Sequence, residues 1–102
     1  MANESCGTPP KDRKELGNRC ENNLQKEYEN KGYKVTKLAP NAPADLLVEK
    51  NEKKTFIEAK AGSAELTPNE KIFENQVKHL GNDKINHKVR HCDCDGNPIP
   101  LD

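Results

Sequence analysis

Two short β-forming runs separated by a polar turn are the feature that most constrains the fold of this chain. Residues 44–49 (ADLLVE) and 55–60 (TFIEAK) are rich in strand-forming side chains, and the KNEK segment between them is short and polar. A two-residue turn at Asn51-Glu52 would join the two runs as an antiparallel hairpin. The sequence therefore predicts neighbouring second and third strands with a fixed register.

That register decides which side chains meet across the hairpin. With Asn51-Glu52 as the turn, Leu47 lies opposite Phe56 and Asp45 lies opposite Glu58. Side chains alternate across a strand, so Glu58 and Lys60 also share a face. Directly opposed residues have Cβ atoms about 4.5–5.5 Å apart. Two carboxylates and a lysine are therefore predicted to gather at one end of the hairpin.

The segment before the hairpin predicts a helix and a strand. Residues 11–31 carry an apolar side chain every fourth position, which is typical of an amphipathic helix: Leu16, Cys20, Leu24 and Tyr28. Gly32 ends this helix. Residues 33–38 (YKVTKL) alternate and predict the first strand.

A second helix and a fourth strand follow the hairpin. Thr67 is predicted to cap a helix that runs to about residue 80, with Pro68 in its first turn and Glu70 completing a capping box. Its buried face is expected to contain Ile72, Phe73, Val77 and Leu80. Residues 84–91 (KINHKVRH) alternate and predict the fourth strand. The predicted fold class is α/β (α+β), with a mixed sheet of about four strands and the second helix after the third strand.

Length and composition allow one small domain. The chain has 102 residues, of which 31% are hydrophobic, and 17 basic residues balance 17 acidic ones. We expect a loose leader over residues 1–10 and a single domain over residues 11–102. No apolar run approaches the roughly 18 residues of a membrane span, so no stable membrane insertion is expected. Zero net charge argues against binding nucleic acid by bulk charge alone, but it leaves a local basic groove open.

Four cysteines leave several chemistries open. Cys92 and Cys94 are spaced C-x-C, whereas zinc modules usually space their cysteines C-x₂₋₄-C. A disulfide, for example between Cys6 and Cys20, would suit an exported protein that meets oxidising conditions. Reduced or buried thiols are the main expectation.

The opposed carboxylates point to metal chemistry. Asp45 and Glu58 would repel each other unless a cation lies between them, and two carboxylates favour a hard divalent ion such as Mg²⁺ or Mn²⁺, with Zn²⁺ as another option. Lys60 would lie within reach of a phosphate or water on that ion, and Glu21 of the first helix would support the site. Such a set suits metal-assisted phosphodiester hydrolysis, with Asp45 and Glu58 as metal ligands and Glu21 and Lys60 as further catalytic residues.

The order of these elements resembles the PD-(D/E)XK nuclease core of restriction endonucleases and Holliday-junction resolvases. The matching positions are Glu21 on a helix, Gly32-Tyr33, Pro43-Ala44-Asp45 and Glu58-Ala59-Lys60, followed by a capped helix. The likeness covers about residues 11–91. One departure is Ala44, which separates Pro43 from Asp45 where many members have the two adjacent. The resemblance implies a metal-dependent endonuclease.

A second resemblance concerns biological context. The GYKV, PADLLVE and LTPNE segments are similar to the C-terminal toxin domains of contact-dependent growth inhibition and related polymorphic toxin systems. This similarity implies a domain exported as part of a larger toxin and acting in the cytoplasm of target bacteria. It further implies a nucleic-acid substrate, either DNA or tRNA, and a cognate immunity protein.

Other readings of the same residues remain open. The acidic face would also suit a non-catalytic binding or immunity module that docks a basic partner. His79, His87 and His91 are expected to be surface or packing residues, although one near the site would assist proton transfer. A basic surface that grips phosphates is a further prediction, built from Lys71, Lys78, Lys84, Lys88 and Arg90.

Overall fold

A computed structural model describes residues 6, 10–62 and 64–100. Within these residues, two helices and four strands follow each other in the order α1 (Pro10–Asn30), β1 (Lys34–Lys37), β2 (Leu46–Lys50), β3 (Lys53–Ala61), α2 (Pro68–His79) and β4 (Ile85–Cys92). This arrangement confirms the predicted α+β class and the helix after the third strand. Most of the predicted leader over 1–10 lies outside the described residues, and α1 already begins at Pro10.

The sheet has the strand order β1-β2-β3-β4. Its first two pairings are antiparallel, and β4 pairs parallel to β3 because α2 carries the chain back across the sheet. The hairpin register is confirmed, since Leu47 pairs with Phe56. Asn51 and Glu52 both have positive φ, at 54° and 67°, as a two-residue hairpin turn requires.

The hydrophobic core lies between α1 and one face of the sheet. The apolar stripe of α1 is buried as predicted, and it packs on side chains from three strands: Leu46, Val48, Ile57 and Cys92. The other face of the sheet carries α2, where Phe73 meets Phe56 edge-on at 5.1 Å between ring centres. In residues 6, 10–62 and 64–100, neither helix has the length of apolar sequence needed to cross a bilayer.

The predicted buried face of α2 is only partly correct. Phe73 contacts the sheet and Val77 is buried, but Ile72 is 55% exposed and Leu80 is 62% exposed. Ile72 lies about 100° around the helix from Phe73 and so points away from the sheet. Leu80 is the C-cap residue, beyond the last helical turn.

The expectation that the cysteines are mainly reduced or buried thiols is wrong. The chain forms two disulfides, Cys6–Cys94 and Cys20–Cys92, and no described cysteine is free. Cys20 and Cys92 are fully buried, because α1 packs across the sheet and places Cys20 against the end of β4. The Cys6 to Cys20 pairing and a zinc site built on these thiols are both excluded by this arrangement.

Arg90 is buried rather than part of a basic surface, so that part of the prediction is wrong. Its side chain is 2% exposed, and its guanidinium donates to both carboxylate oxygens of Glu27, at 2.6 and 3.2 Å. It also donates to the Tyr28 hydroxyl at 3.0 Å and to the Ile99 carbonyl at 3.3 Å. Hydrogen bonding from Arg90 lowers the pKa of Glu27. The cluster ties α1 to β4 and to the segment that follows it.

Candidate active site

Asp45 and Glu58 meet where β2 begins, as the hairpin register predicted. Asp45 immediately precedes β2, and its backbone N–H donates to the Ile57 carbonyl at 3.0 Å. The Ala59 backbone N–H donates to Asp45 Oδ2 at 2.8 Å, which fixes the carboxylate against β3. Glu58 lies directly opposite Asp45 across the hairpin, because Leu46 pairs with Ile57.

Glu58 is held in an environment that disfavours its charged form. It is only 3% exposed, and Oε2 has no hydrogen-bond partner among the described residues. Burial, followed by a hydrogen bond to Glu70 and the negative charge of Asp45, raises the pKa of Glu58 to about 9. The carboxyl is therefore protonated at neutral pH in the unbound protein.

Lys60 lies on the same face of β3 and forms an ion pair with Glu70. Lys60 Nζ is 2.8 Å from Glu70 Oε1, and the two side chains are only 15% and 22% exposed. Burial would raise the pKa of Glu70, but hydrogen bonds from Lys60 and the Thr67 backbone overcome this effect and lower it to about 2. Glu70 therefore stays charged over the whole neutral range.

Glu70 is a site residue that sequence reasoning missed. The predicted capping box is confirmed: Glu70 N–H donates to Thr67 Oγ1 at 3.2 Å, and Thr67 N–H donates to Glu70 Oε1 at 2.8 Å. The motif indicated a helix start, but it gave no signal that α2 would dock this carboxylate against Glu58 and Lys60. A cavity of about 330 Å³ opens beside Glu70, between α2 and the β1–β2 connection at 40–43.

Glu21 lies near the same cluster, at its α1 side. Burial and then the negative charge of Asp45 raise the pKa of Glu21, whereas the charge of Lys37 lowers it. Glu21 is half-buried and within electrostatic reach of Asp45. The structure thus brings all four predicted residues, Glu21, Asp45, Glu58 and Lys60, into one neighbourhood and adds Glu70.

His91 borders this cluster, whereas His87 lies further along the sheet. His87 packs edge-on against Phe73, and its buried ring nitrogens have no hydrogen-bond partner in the described residues; Nδ1 is 3.5 Å from Glu74 Oε2. Burial lowers the pKa of His87, so its ring is a neutral packing group. His91 pairs with Lys60 in the β-ladder, and its Nδ1 lies 3.1 Å from the Gly62 carbonyl.

The carboxylates suit a hard divalent cation. Asp45 and Glu58 supply the oxygen donors that Mg²⁺ and Mn²⁺ prefer, whereas Zn²⁺ usually takes nitrogen and sulfur ligands. A cation in place of the Glu58 proton would satisfy the buried Oε2 and offset the repulsion between the carboxylates. Within the described part of the chain, no three His, Cys, Asp or Glu side chains form a group that holds a metal. Two carboxylates completed by water remain compatible with Mg²⁺, which keeps several waters in its shell.

No protein-family model matches the sequence, and no curated protein matches it. Chemically, the cluster combines two adjacent carboxyl groups, Asp45 and Glu58, with a lysine held beside them by its ion pair with Glu70. This combination provides oxygen ligands for a cation and a fixed positive charge for an anionic substrate.

Proposed function

We propose that this chain is a metal-dependent nuclease domain that hydrolyses phosphodiester bonds in nucleic acid. The observation that supports the proposal is the burial of Glu58 against Asp45, with Lys60 two residues further along the same face. A bound divalent ion would polarise the scissile phosphate and lower the pKa of the attacking water. DNA is slightly favoured over tRNA, because the PD-(D/E)XK core that the chain resembles is mostly a DNA-cleaving one.

Each side chain has a distinct role in this proposal. Asp45 and Glu58 hold the ion, and the Ala59 N–H keeps Asp45 in place. Lys60 stabilises the negative charge that develops on the phosphate, since a preorganised cation in a partly buried site acts more strongly than in water. Glu70 positions Lys60 through the 2.8 Å ion pair, and Glu21 supports the acidic side of the site.

The burial of Glu58 also favours a nuclease over the alternative binding module. An acidic docking face needs exposed carboxylates to meet a basic partner, but Glu58 is 3% exposed. A buried carboxyl with a pKa near 9 is costly for stability and gains nothing in a docking surface.

The test compares cleavage of plasmid DNA and total tRNA by purified protein, with Mg²⁺ or Mn²⁺ and with a chelator. Asp45→Asn and Lys60→Gln are expected to lower the rate about a hundredfold or more. Lys54→Gln is the matched control, because Lys54 is an exposed lysine on the same face of β3. Cleavage that persists in chelator, or in either site variant at the control rate, would refute the assignment.

We further propose that the nuclease is the toxic part of an exported protein that acts in the cytoplasm of target bacteria and is neutralised by a cognate immunity protein. The two disulfides support passage through an oxidising compartment. Induced expression in a bacterial host is expected to arrest growth, and Lys60→Gln is expected to relieve the arrest. Equal toxicity of the wild type and Lys60→Gln would contradict a nuclease toxin.

A further inference from the structure

A second polar cavity lies on the opposite face of the sheet, at the hairpin end. It encloses about 580 Å³, and its lining includes Tyr33, Lys50, Lys53, Thr55, Asn86 and Lys88. Lys50 pairs with Lys53 across the hairpin, and Thr55 pairs with Asn86. Lys53 and Thr55 lie on the same face of β3 as Ile57, because side chains alternate along a strand. Ile57 is buried beneath α1, so the cavity lies on the face of the sheet that carries α1. We call it the lysine groove.

The lysine groove carries uncompensated positive charge. Within the described residues, neither Lys53 nor Lys88 has an ion pair or a side-chain hydrogen bond, and both are exposed. No Asp or Glu of the described chain is among the lining residues. Elsewhere on the molecule, Lys31, Lys60 and Lys78 are each paired with a glutamate. The groove is therefore a local exception to the balanced charge of the chain.

Part of the groove is already ordered. Lys50 Nζ donates to the Lys31 carbonyl at 2.7 Å and lies 5.2 Å from the centre of the Tyr33 ring. The Tyr33 ring in turn meets Tyr28 edge-on at 5.2 Å. These contacts fix one ammonium and one aromatic face before any ligand binds, which reduces the entropy lost on binding.

The spacing of the free lysines favours an extended anion. Lys88 pairs with Ile57, four residues beyond Lys53, so the two lysines stand about 13 Å apart along the strand direction. A nucleic-acid strand carries repeated phosphates, and their oxygens accept hydrogen bonds from lysine, asparagine and threonine side chains. The groove supplies all three donor types.

We propose that the lysine groove binds the phosphodiester backbone of a nucleic-acid strand away from the scissile bond. This inference rests on the proposed nuclease function for the identity of the ligand. Lys53 lies five residues before Glu58, or about 16 Å along β3, and on the other face. The groove would therefore hold a distant part of the substrate and raise affinity without taking part in cleavage.

The test measures the salt dependence of binding to a fluorescein-labelled oligonucleotide of about 20 nucleotides, longer than the roughly 4–16 that a small binding domain covers. Chelator prevents cleavage, and both the single strand and its duplex are titrated between about 50 and 200 mM salt. The groove variant is Lys53→Gln with Lys88→Gln. The matched control is Lys14→Gln with Lys26→Gln, which removes two exposed lysines of α1 and the same net charge.

The groove variant is expected to bind the oligonucleotide more weakly and with a weaker dependence on salt. The slope of the logarithm of the association constant against log salt is negative, and its magnitude should fall by about 1.4 for the single strand and about 1.8 for the duplex, whereas the control pair keeps the wild-type slope. Equal slopes for the groove and control variants, or no binding by the wild type, would overturn the inference. If the slope changes as expected but the protein never cleaves nucleic acid, the inference about the groove stands and the proposed catalytic function is refuted.

Discussion

The two disulfides are nested, so the stability that each one adds depends on the other. Cys6–Cys94 spans 88 residues and Cys20–Cys92 spans 72. An isolated cross-link over 88 residues would remove about 4.6 kcal/mol of conformational entropy from the unfolded chain. With Cys20–Cys92 intact, the outer bond closes only a loop of about 16 residues, which corresponds to about 3 kcal/mol. The variant Cys6→Ser with Cys94→Ser is therefore expected to lower the free energy of unfolding by about 3 kcal/mol.

Urea unfolding of the oxidised proteins, followed by circular dichroism, measures this difference. Cys20→Ala with Cys92→Ala is the comparison, because it breaks the same short loop and also removes two fully buried side chains. It should therefore lose more stability than the outer variant. A loss of stability below about 1 kcal/mol on removing Cys6–Cys94 would refute the nested-loop reasoning. A loss of about 4.6 kcal/mol, the value for an isolated cross-link over 88 residues, would also refute it.

Three further substitutions test the electrostatics and capping that the structure shows. Glu27→Gln leaves the buried Arg90 without its carboxylate partner and should lower the free energy of unfolding by about 3 kcal/mol in urea titrations. A loss below about 1 kcal/mol would contradict the role of Glu27 as the charge partner of Arg90. Glu58→Gln removes a carboxyl group whose pKa is about 9 in the native protein and has its ordinary value of 4.5 in the unfolded chain. Between these two values the native state keeps a proton that the unfolded state has lost, so wild-type stability should fall as the pH rises from roughly 5 to 9. The variant should flatten that profile in thermal melts and be more stable at pH 7, by at most about 3 kcal/mol; an unchanged slope would refute the assignment. Thr67→Ala should cost about 1 kcal/mol by opening the capping box, whereas Thr36→Ala, at an exposed strand position, serves as the control.

Local features of the fold were predictable because they depend on neighbours in sequence. The turn at Asn51-Glu52 set the hairpin register, and this register brought Asp45 to Glu58. The capping box at Thr67 set the start of α2. Each of these rests on a few consecutive residues whose backbone preferences agree.

Long-range packing explains what the sequence did not reveal. The partners of Cys20, Arg90 and Glu70 depend on how α1 and α2 dock on opposite faces of the sheet, and no local pattern encodes that docking. Arg90 shows the difficulty most clearly. Its alternating position in β4 indicated a surface strand residue, but the α1 face of that strand is covered and Glu27 supplies its charge partner.

Each disulfide joins a cysteine that is synthesised early to one that is synthesised late. Cys20 is made 72 residues before its partner Cys92, an interval of roughly 4 to 14 s at ordinary translation rates. During that interval, Cys6 and Cys20 are the only thiols of this chain that have emerged, and pairing between them would be non-native. Correct oxidation therefore requires that the chain stays reduced until Cys92 and Cys94 have been made, or that an exchange reaction reopens the early bond.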